Sequence, residues 1–143
     1  MSFDAIPALT LRNPWAHLIA HCGKNIENRG WKPPAHVTRI LIHAGAGWDE
    51  SLIGDEWQDT FERVDTSAIV AVATITEVCG DSRNADTLRC RCGGWAMAGQ
   101  FHWRLANVVA LSEPVPAKGR QGLWRPDDGV MSTVPERLLA VAS

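Results

Sequence analysis

The run Ser67 to Gly80, SAIVAVATITEVCG, is the longest apolar stretch of the chain and restricts the fold more than any other segment. Val, Ile and Thr recur through it, and β-branched side chains pack better on a pleated surface than in a helix. It predicts a central strand with Glu77 near its end. Such a strand needs neighbours. "VTRILIHAGAGW" supplies a second buried strand around Ile40 to His43, ended by glycines. "QFHWRLANVVALSEPVP" predicts a further strand or bulged pair closed by Pro114 and Pro116. "ALTLR", Ala8 to Arg12, reads as a short strand.

Helical punctuation surrounds this β framework. In "NPWAHLIAHCG" Asn13 suits a cap, Pro14 the first helical position and Gly23 a left-handed stop. Trp15, Leu18, Ile19 and Cys22 fall at i, i+3, i+4 and i+7, one apolar stripe. Trp48 to Val64 is acidic, with Leu52, Ile53, Trp57 and Phe61 at roughly helical spacing, and predicts a surface helix. Thr133 and Glu136 form a capping box that opens a short C-terminal helix. Gly80 to Gly94 is a polar loop, and "AKGRQGLWRPDDG" a glycine-rich basic loop centred on Trp124. The expectation is one domain over residues 1–143, of class α+β, with strands in the core and two or three flanking helices. A chain of 143 residues is long enough to bury a core without metals or disulfides.

Charge narrows the functional classes. Hydrophobic residues at 45% and charged residues at 21% exclude disorder, and a net charge of −2 excludes a global basic field for duplex DNA. The distribution is uneven. Thr10 to His43 carries Arg12, Lys24, Arg29, Lys32 and Arg39 against Glu27 alone, whereas Ala44 to Thr66 carries seven carboxylates against Arg63. One face can therefore attract a phosphate or a short single strand although the whole molecule does not. No apolar run approaches 18 residues and no signal peptide is visible, so the expected compartment is the cytoplasm, without a membrane partner. Cys22, Cys79, Cys90 and Cys92 read as thiols. The C-x10-C-x-C spacing of the last three is not a standard zinc pattern, although His21, His102 or Cys22 would complete a tetrahedron. No metal and no cofactor are expected.

The stretch "GKNIENRGW", Gly23 to Trp31, crowds ligand-capable groups into one connector. Together with "NPWA", the "ILIHAG" strand and the late "GRQGLW" loop, it gives the chain its likeness: from Ala8 to Trp124 the sequence resembles an ASCH domain, of the PUA-like superfamily. That resemblance implies a small mixed β-barrel of five or six strands with helices packed on it. It also implies a cleft between barrel and helices for a nucleotide or modified base. Relatives bind RNA, some read modified bases, some small ones are amidohydrolases acting on acetylated cytidine, and others are described as ribonucleases. Fold alone does not choose among these.

The residues themselves suggest roles. Trp15, Trp31, Trp95 and Trp124 offer flat faces, and stacking one base on such a ring contributes about 1–3 kcal/mol. Asn28 both donates and accepts, Glu27 accepts from an exocyclic amine, and Lys24 and Arg29 serve a phosphate or carbonyl oxygen. Bland readings stand beside these. Trp15 lies in an apolar stripe, Trp103 in a strand and Trp57 on the buried face of its expected helix, whereas a Lys-Glu-Arg cluster is commonly a solvated face. His43, on a strand, reads either as a satisfied core histidine or as a catalytic base. The amidohydrolase relatives use a lysine, a threonine three positions later and a later glutamate. Lys24 and Glu77 match by position, but Glu27 stands where the threonine would be and cannot be a hydroxyl nucleophile. The candidate catalytic set is therefore Lys24, Glu27 and Glu77. The candidate ligand-binding set is Trp15, Lys24, Glu27, Asn28, Arg29, Trp31, His43 and Trp124. Three functions follow: a reader of RNA or a modified nucleoside, a small hydrolase or ribonuclease, and a protein-interaction module using the acidic helix Asp49 to Glu62.

Overall fold

A computed structural model describes residues 6–49, 51, 64–80 and 92–139. Nine elements follow in order: β1 (Ala8–Asn13), α1 (Trp15–His21), β2 (Ile26–Arg29), β3 (Arg39–Trp48), β4 (Ala68–Gly80), β5 (Phe101–Pro116), β6 (Leu123–Trp124), α2 (Asp128–Met131) and α3 (Glu136–Leu139). The six strands form one mixed sheet in the order β2-β5-β4-β3-β1-β6. β1 runs parallel to β3, and every other pair is antiparallel. The chain is thus α+β, with three short helices among the described residues.

The longest apolar run lies inside the sheet because both of its faces are covered. Along β3, Ile40 and Ile42 join one core cluster with Leu9, Ile19 and Trp103, while Leu41 between them joins a second with Ile69, Val115 and Trp124. Burial on both faces is what makes such strands read as near-continuous hydrophobic runs rather than alternating ones. α1 covers the first face with Ala16 and Ile19. Val134 and Leu138 cover the second. The long β4–β5 ladder shifts register at three places, between Ile69 and Ala71, Val72 and Thr74, and Ile75 and Glu77. One extra residue falls where Asn107 takes a φ of 51°. Such bulges bend a strand pair and increase its twist.

The sheet bends strongly but does not close. Among the described residues β2 and β6 remain its edges, so the expected five or six strands are present without barrel closure. Other expectations shift in detail. Asn13 does not cap α1; its side-chain amide donates to the Gly45 carbonyl at 3.2 Å, tying β1 to β3. α1 ends at His21, which leaves Cys22 exposed beyond the stripe. The hydroxyl of Thr133 donates to the Gly129 carbonyl rather than capping α3. α2, which the apolar pattern does not announce, is capped by Asp127, whose carboxylate accepts from the Val130 amide at 2.8 Å. Trp48 closes β3 instead of opening a helix, and the remainder of the expected acidic helix to Glu62, with Trp57, lies outside the described residues apart from Asp49 and Ser51. Most of the expected Gly80 to Gly94 loop, including Cys90, lies outside them too. No helix among the described residues is long and apolar enough to cross a membrane.

Candidate functional site

The site grows from the turn between α1 and β2. Gly23 adopts a φ of 76°, a conformation that glycine enters without a Cβ penalty, and the Lys24 amide bonds back to the Leu18 carbonyl at 3.1 Å. The lysine side chain is thereby carried inward. Its Nζ donates to the Ile26 carbonyl and stands 5.4 Å from the Trp15 ring centroid and 5.7 Å from that of Trp95. An ammonium between two indole faces gains cation–π attraction in place of lost hydration. Burial nevertheless pulls its pKa below the usual lysine value, with the Glu27 carboxylate opposing that pull.

Glu27 follows on β2, its backbone paired with Trp103 of β5. Burial pushes its carboxyl above the usual value, while Arg29 and Lys24 draw it back. Arg29 Nε donates to Glu27 Oε2 at 2.6 Å, and Arg29 Nη2 donates to the Thr10 carbonyl at 2.9 Å. This second bond spans the sheet: Arg29 lies on edge strand β2 and Thr10 on β1, beside the opposite edge. Curling has brought the two ends close enough for one side chain to bridge them. A cleft of about 1310 Å³ opens there.

Lys24, Glu27, Asn28, Arg29, Trp15 and Trp31 all line this cleft. Trp15 is held by its Nε1–H, which donates to Asp49 Oδ2 at 2.9 Å. Hydrogen bonds from Ser51 first, and then from Trp15, hold the Asp49 carboxyl below its usual range. Trp31 is 36% exposed and meets Trp103 edge-to-face at 5.0 Å. Asn28 is engaged: its amide donates to the Trp95 carbonyl at 3.0 Å, and its Oδ1 accepts from the Met97 amide at 2.9 Å. It therefore fastens the Trp95–Met97 segment over the cleft.

Three predicted residues are placed elsewhere. Glu77 does not line the cleft; its side chain is 60% exposed and pairs with Arg104 at 3.2 Å. Both Thr76 and Glu77 are exposed, so β4 has run past the core by this point. His43 is fully buried, with Nε2 2.6 Å from the Ala117 carbonyl and Nδ1 3.1 Å from Thr10 Oγ1. A carbonyl only accepts, so Nε2 carries the proton and Nδ1 accepts from the threonine. Burial lowers the His43 pKa, against the bond to Ala117. Trp124 is also buried, in the second core cluster; its Nε1–H donates to Thr10 Oγ1 at 3.0 Å and its ring meets His43 edge-on. His43 and Trp124 are thus the packing behind the wall.

The cleft also holds residues absent from the predicted sets: Trp95, Met97, Thr10, Asp49 and the loop from Lys118 to Gly122. Trp95, behind two glycines, is the one that sequence context signals, since such a ring has no strand or helix to be buried by. A second cavity of about 370 Å³, lined by Ile6, Arg125, Met131 and others, brings none of the predicted residues together. Among the described residues no three His, Cys, Asp or Glu side chains are grouped to hold a metal ion.

The sequence profile of the ASCH domain matches residues 9–115. This chain belongs to the ASCH domain family. The match runs from β1 to the end of β5, so the ASCH region contains Lys24, Glu27 and Arg29 and stops before Lys118. No curated protein matches the chain.

Proposed function

We propose that this ASCH domain is a reader of RNA or of a modified nucleoside, taking a single base into the cleft between sheet edge and helix. The single observation that carries the reading is the group Lys24, Glu27 and Arg29, drawn together beneath a cleft walled by Trp15, Trp31 and Trp95. Buried charges of this kind are costly to a fold, and they concentrate where a ligand needs them. Arg29 occupies Glu27 Oε2, whereas Oε1 makes no hydrogen bond among the described residues and is the acceptor for an exocyclic amine. Trp31 and Trp95, each more than a third exposed, supply the stacking faces. On this reading the curled sheet is the PUA-like barrel, and the gap that Arg29 bridges is the mouth of the ligand site.

The test is titration of the protein with modified and unmodified nucleosides and short RNAs, followed by mass spectrometry of each mixture. Binding without a mass change, weakened about tenfold or more by Glu27→Gln, is the expected result, since a charge-assisted hydrogen bond supplies about 1.5–3 kcal/mol. Absence of binding across the panel, or unchanged affinity in the variant, overturns it.

One observation favours a second reading, a small hydrolase. Burial moves Lys24 and Glu27 toward each other in pKa, the arrangement that suits proton transfer to and from water. Lys24 and Glu27 would then activate water on an acetylated nucleoside or an RNA, with Glu77 outside the chemistry. A mass change in the same mixtures that Lys24→Gln abolishes would establish that reading.

A further inference from the structure

The groups at the bottom of the cleft are already committed to one another. Lys24 Nζ is spent on the Ile26 carbonyl and two indole rings, and Arg29 on Glu27 and the Thr10 carbonyl. Lys24 is buried, and Arg29 keeps only the N–H donors left over from these two bonds for a ligand. Arg12, Lys118 and Arg120 also line the cleft, all exposed; Arg12 stands close enough to Asp49 to help hold its carboxyl low, whereas Lys118 and Arg120 make no hydrogen bond or ion pair among the described residues. Among the described residues, five cationic side chains and two carboxylates line a cleft in a chain whose net charge is −2. The apolar groups Trp31, Trp95 and Met97 belong to the side fastened by Asn28. The cleft is therefore two-ended, aromatic toward β2 and cationic toward the loop after β5.

That loop is held in place from below. His43 Nε2–H donates to the Ala117 carbonyl at 2.6 Å, immediately before Lys118. Gly119 lies so close that an added Cβ would stand 2.8 Å from His43 Cε1 and 2.8 Å from Thr10 Oγ1. Thr10 also accepts from Arg29 through its carbonyl. Thr10 thus stands between the Glu27–Arg29 pair and the backbone between Lys118 and Arg120.

We infer that the Lys118–Arg120 loop is a phosphate-binding wall, so that the ligand is a phosphorylated ribonucleotide, base toward Trp31 and Trp95 and phosphate against the loop, rather than a free nucleoside. The inference rests on the reading of the cleft as a base site and adds its second half. The match to the ASCH profile ends at residue 115, so Lys118 and Arg120 lie outside the matched region.

The experiment uses the full chain and calorimetric titration with the four common ribonucleosides and N4-acetylcytidine, each as the nucleoside and as its 5′- and 3′-monophosphate. The monophosphates are expected to bind about tenfold tighter than their nucleosides, the lower end for charge-assisted hydrogen bonds at an exposed rim. That advantage should shrink as salt is raised from 0.05 to 0.5 M, since exposed charges are screened. Lys118→Ala with Arg120→Ala should erase it while leaving nucleoside affinity within twofold. Both side chains are exposed, so the fold does not depend on them. Equal affinity of nucleosides and monophosphates in the wild type, or a preference that survives the double substitution, overturns the phosphate wall and leaves the base site standing. No binding of any member overturns both.

Discussion

Thr10→Val is the substitution that tests the packing behind the cleft most sharply. Its hydroxyl is the meeting point of two buried groups: it accepts from Trp124 Nε1–H at 3.0 Å and donates to His43 Nδ1 at 3.1 Å. Valine has nearly the same shape, so no cavity opens, but it can neither accept nor donate. His43 is fully buried and Trp124 9% exposed, so each is left with an unpaired polar atom away from water. An unsatisfied buried group costs about 1–3 kcal/mol, which gives roughly 2–4 kcal/mol for the pair when relaxation is allowed for. For a chain of this size that is a fall in Tm of about 5–12 °C. The Arg29 bond to the Thr10 carbonyl is main-chain on the Thr10 side and survives, so the effect reports on the hydroxyl alone. A double-mutant cycle with Trp124→Phe, read by urea denaturation, completes the test. Once the indole N–H is absent, Thr10→Val has one fewer group to strand and should cost about 1 kcal/mol less. A wild-type-like Tm, or strict additivity in the cycle, would refute the proposed arrangement of donors and acceptors.

Two further outcomes follow from the same geometry. Gly119→Ala places a Cβ 2.8 Å from His43 Cε1 and from Thr10 Oγ1 and should lower stability by about 1–3 kcal/mol, whereas Gly30→Ala, with nothing within 4 Å, should stay within about 0.5 kcal/mol; urea midpoints distinguish them. His43 has a folded pKa below its ordinary 6.5, so the unfolded chain takes up its proton first: stability is full above pH 6.5 and is lost as pH falls through the folded value. In melts from pH 7.5 to 5, the Tm advantage of the wild type over His43→Phe should narrow as the pH drops, and a constant difference would exclude the buried neutral imidazole.

The sheet was legible because β3 and β4 are buried on both faces, which leaves an uninterrupted apolar signal. β2, read as part of a connector, was not, and neither were β6 and α2, since four polar-rich residues, two paired residues or a four-residue turn carry no periodicity. The lysine, glutamate and arginine of "GKNIENRGW" were legible as a group because they come from one turn and one short strand, where proximity in sequence is proximity in space. Its asparagine serves the loop and not an open cleft face, because both of its polar atoms are met by the Trp95–Met97 backbone. His43 and Trp124 carry the side-chain chemistry of a site yet face each other behind the wall; sequence does not say which side of a twisted sheet a polar atom will find its partner. Trp95 and the Lys118–Gly122 loop arrive from 70 to 90 residues away, through the β4–β5 bend, and no local pattern announces that meeting.

Thr10 explains why these distant pieces hold together as one site. It sits on β1 between Leu9 and Leu11, both buried in the core, with its own side chain on the other face of the strand. Its carbonyl fixes the Arg29 guanidinium, and its hydroxyl fixes His43, which in turn fixes Ala117 at the root of the basic loop. The position of Arg29 and the position of the Lys118–Arg120 backbone are therefore set by two atoms of the same residue. A cleft whose base end and cationic end were tethered independently would vary in span with every motion of the sheet. Here both tethers run through Thr10, so the two ends of the cleft move together.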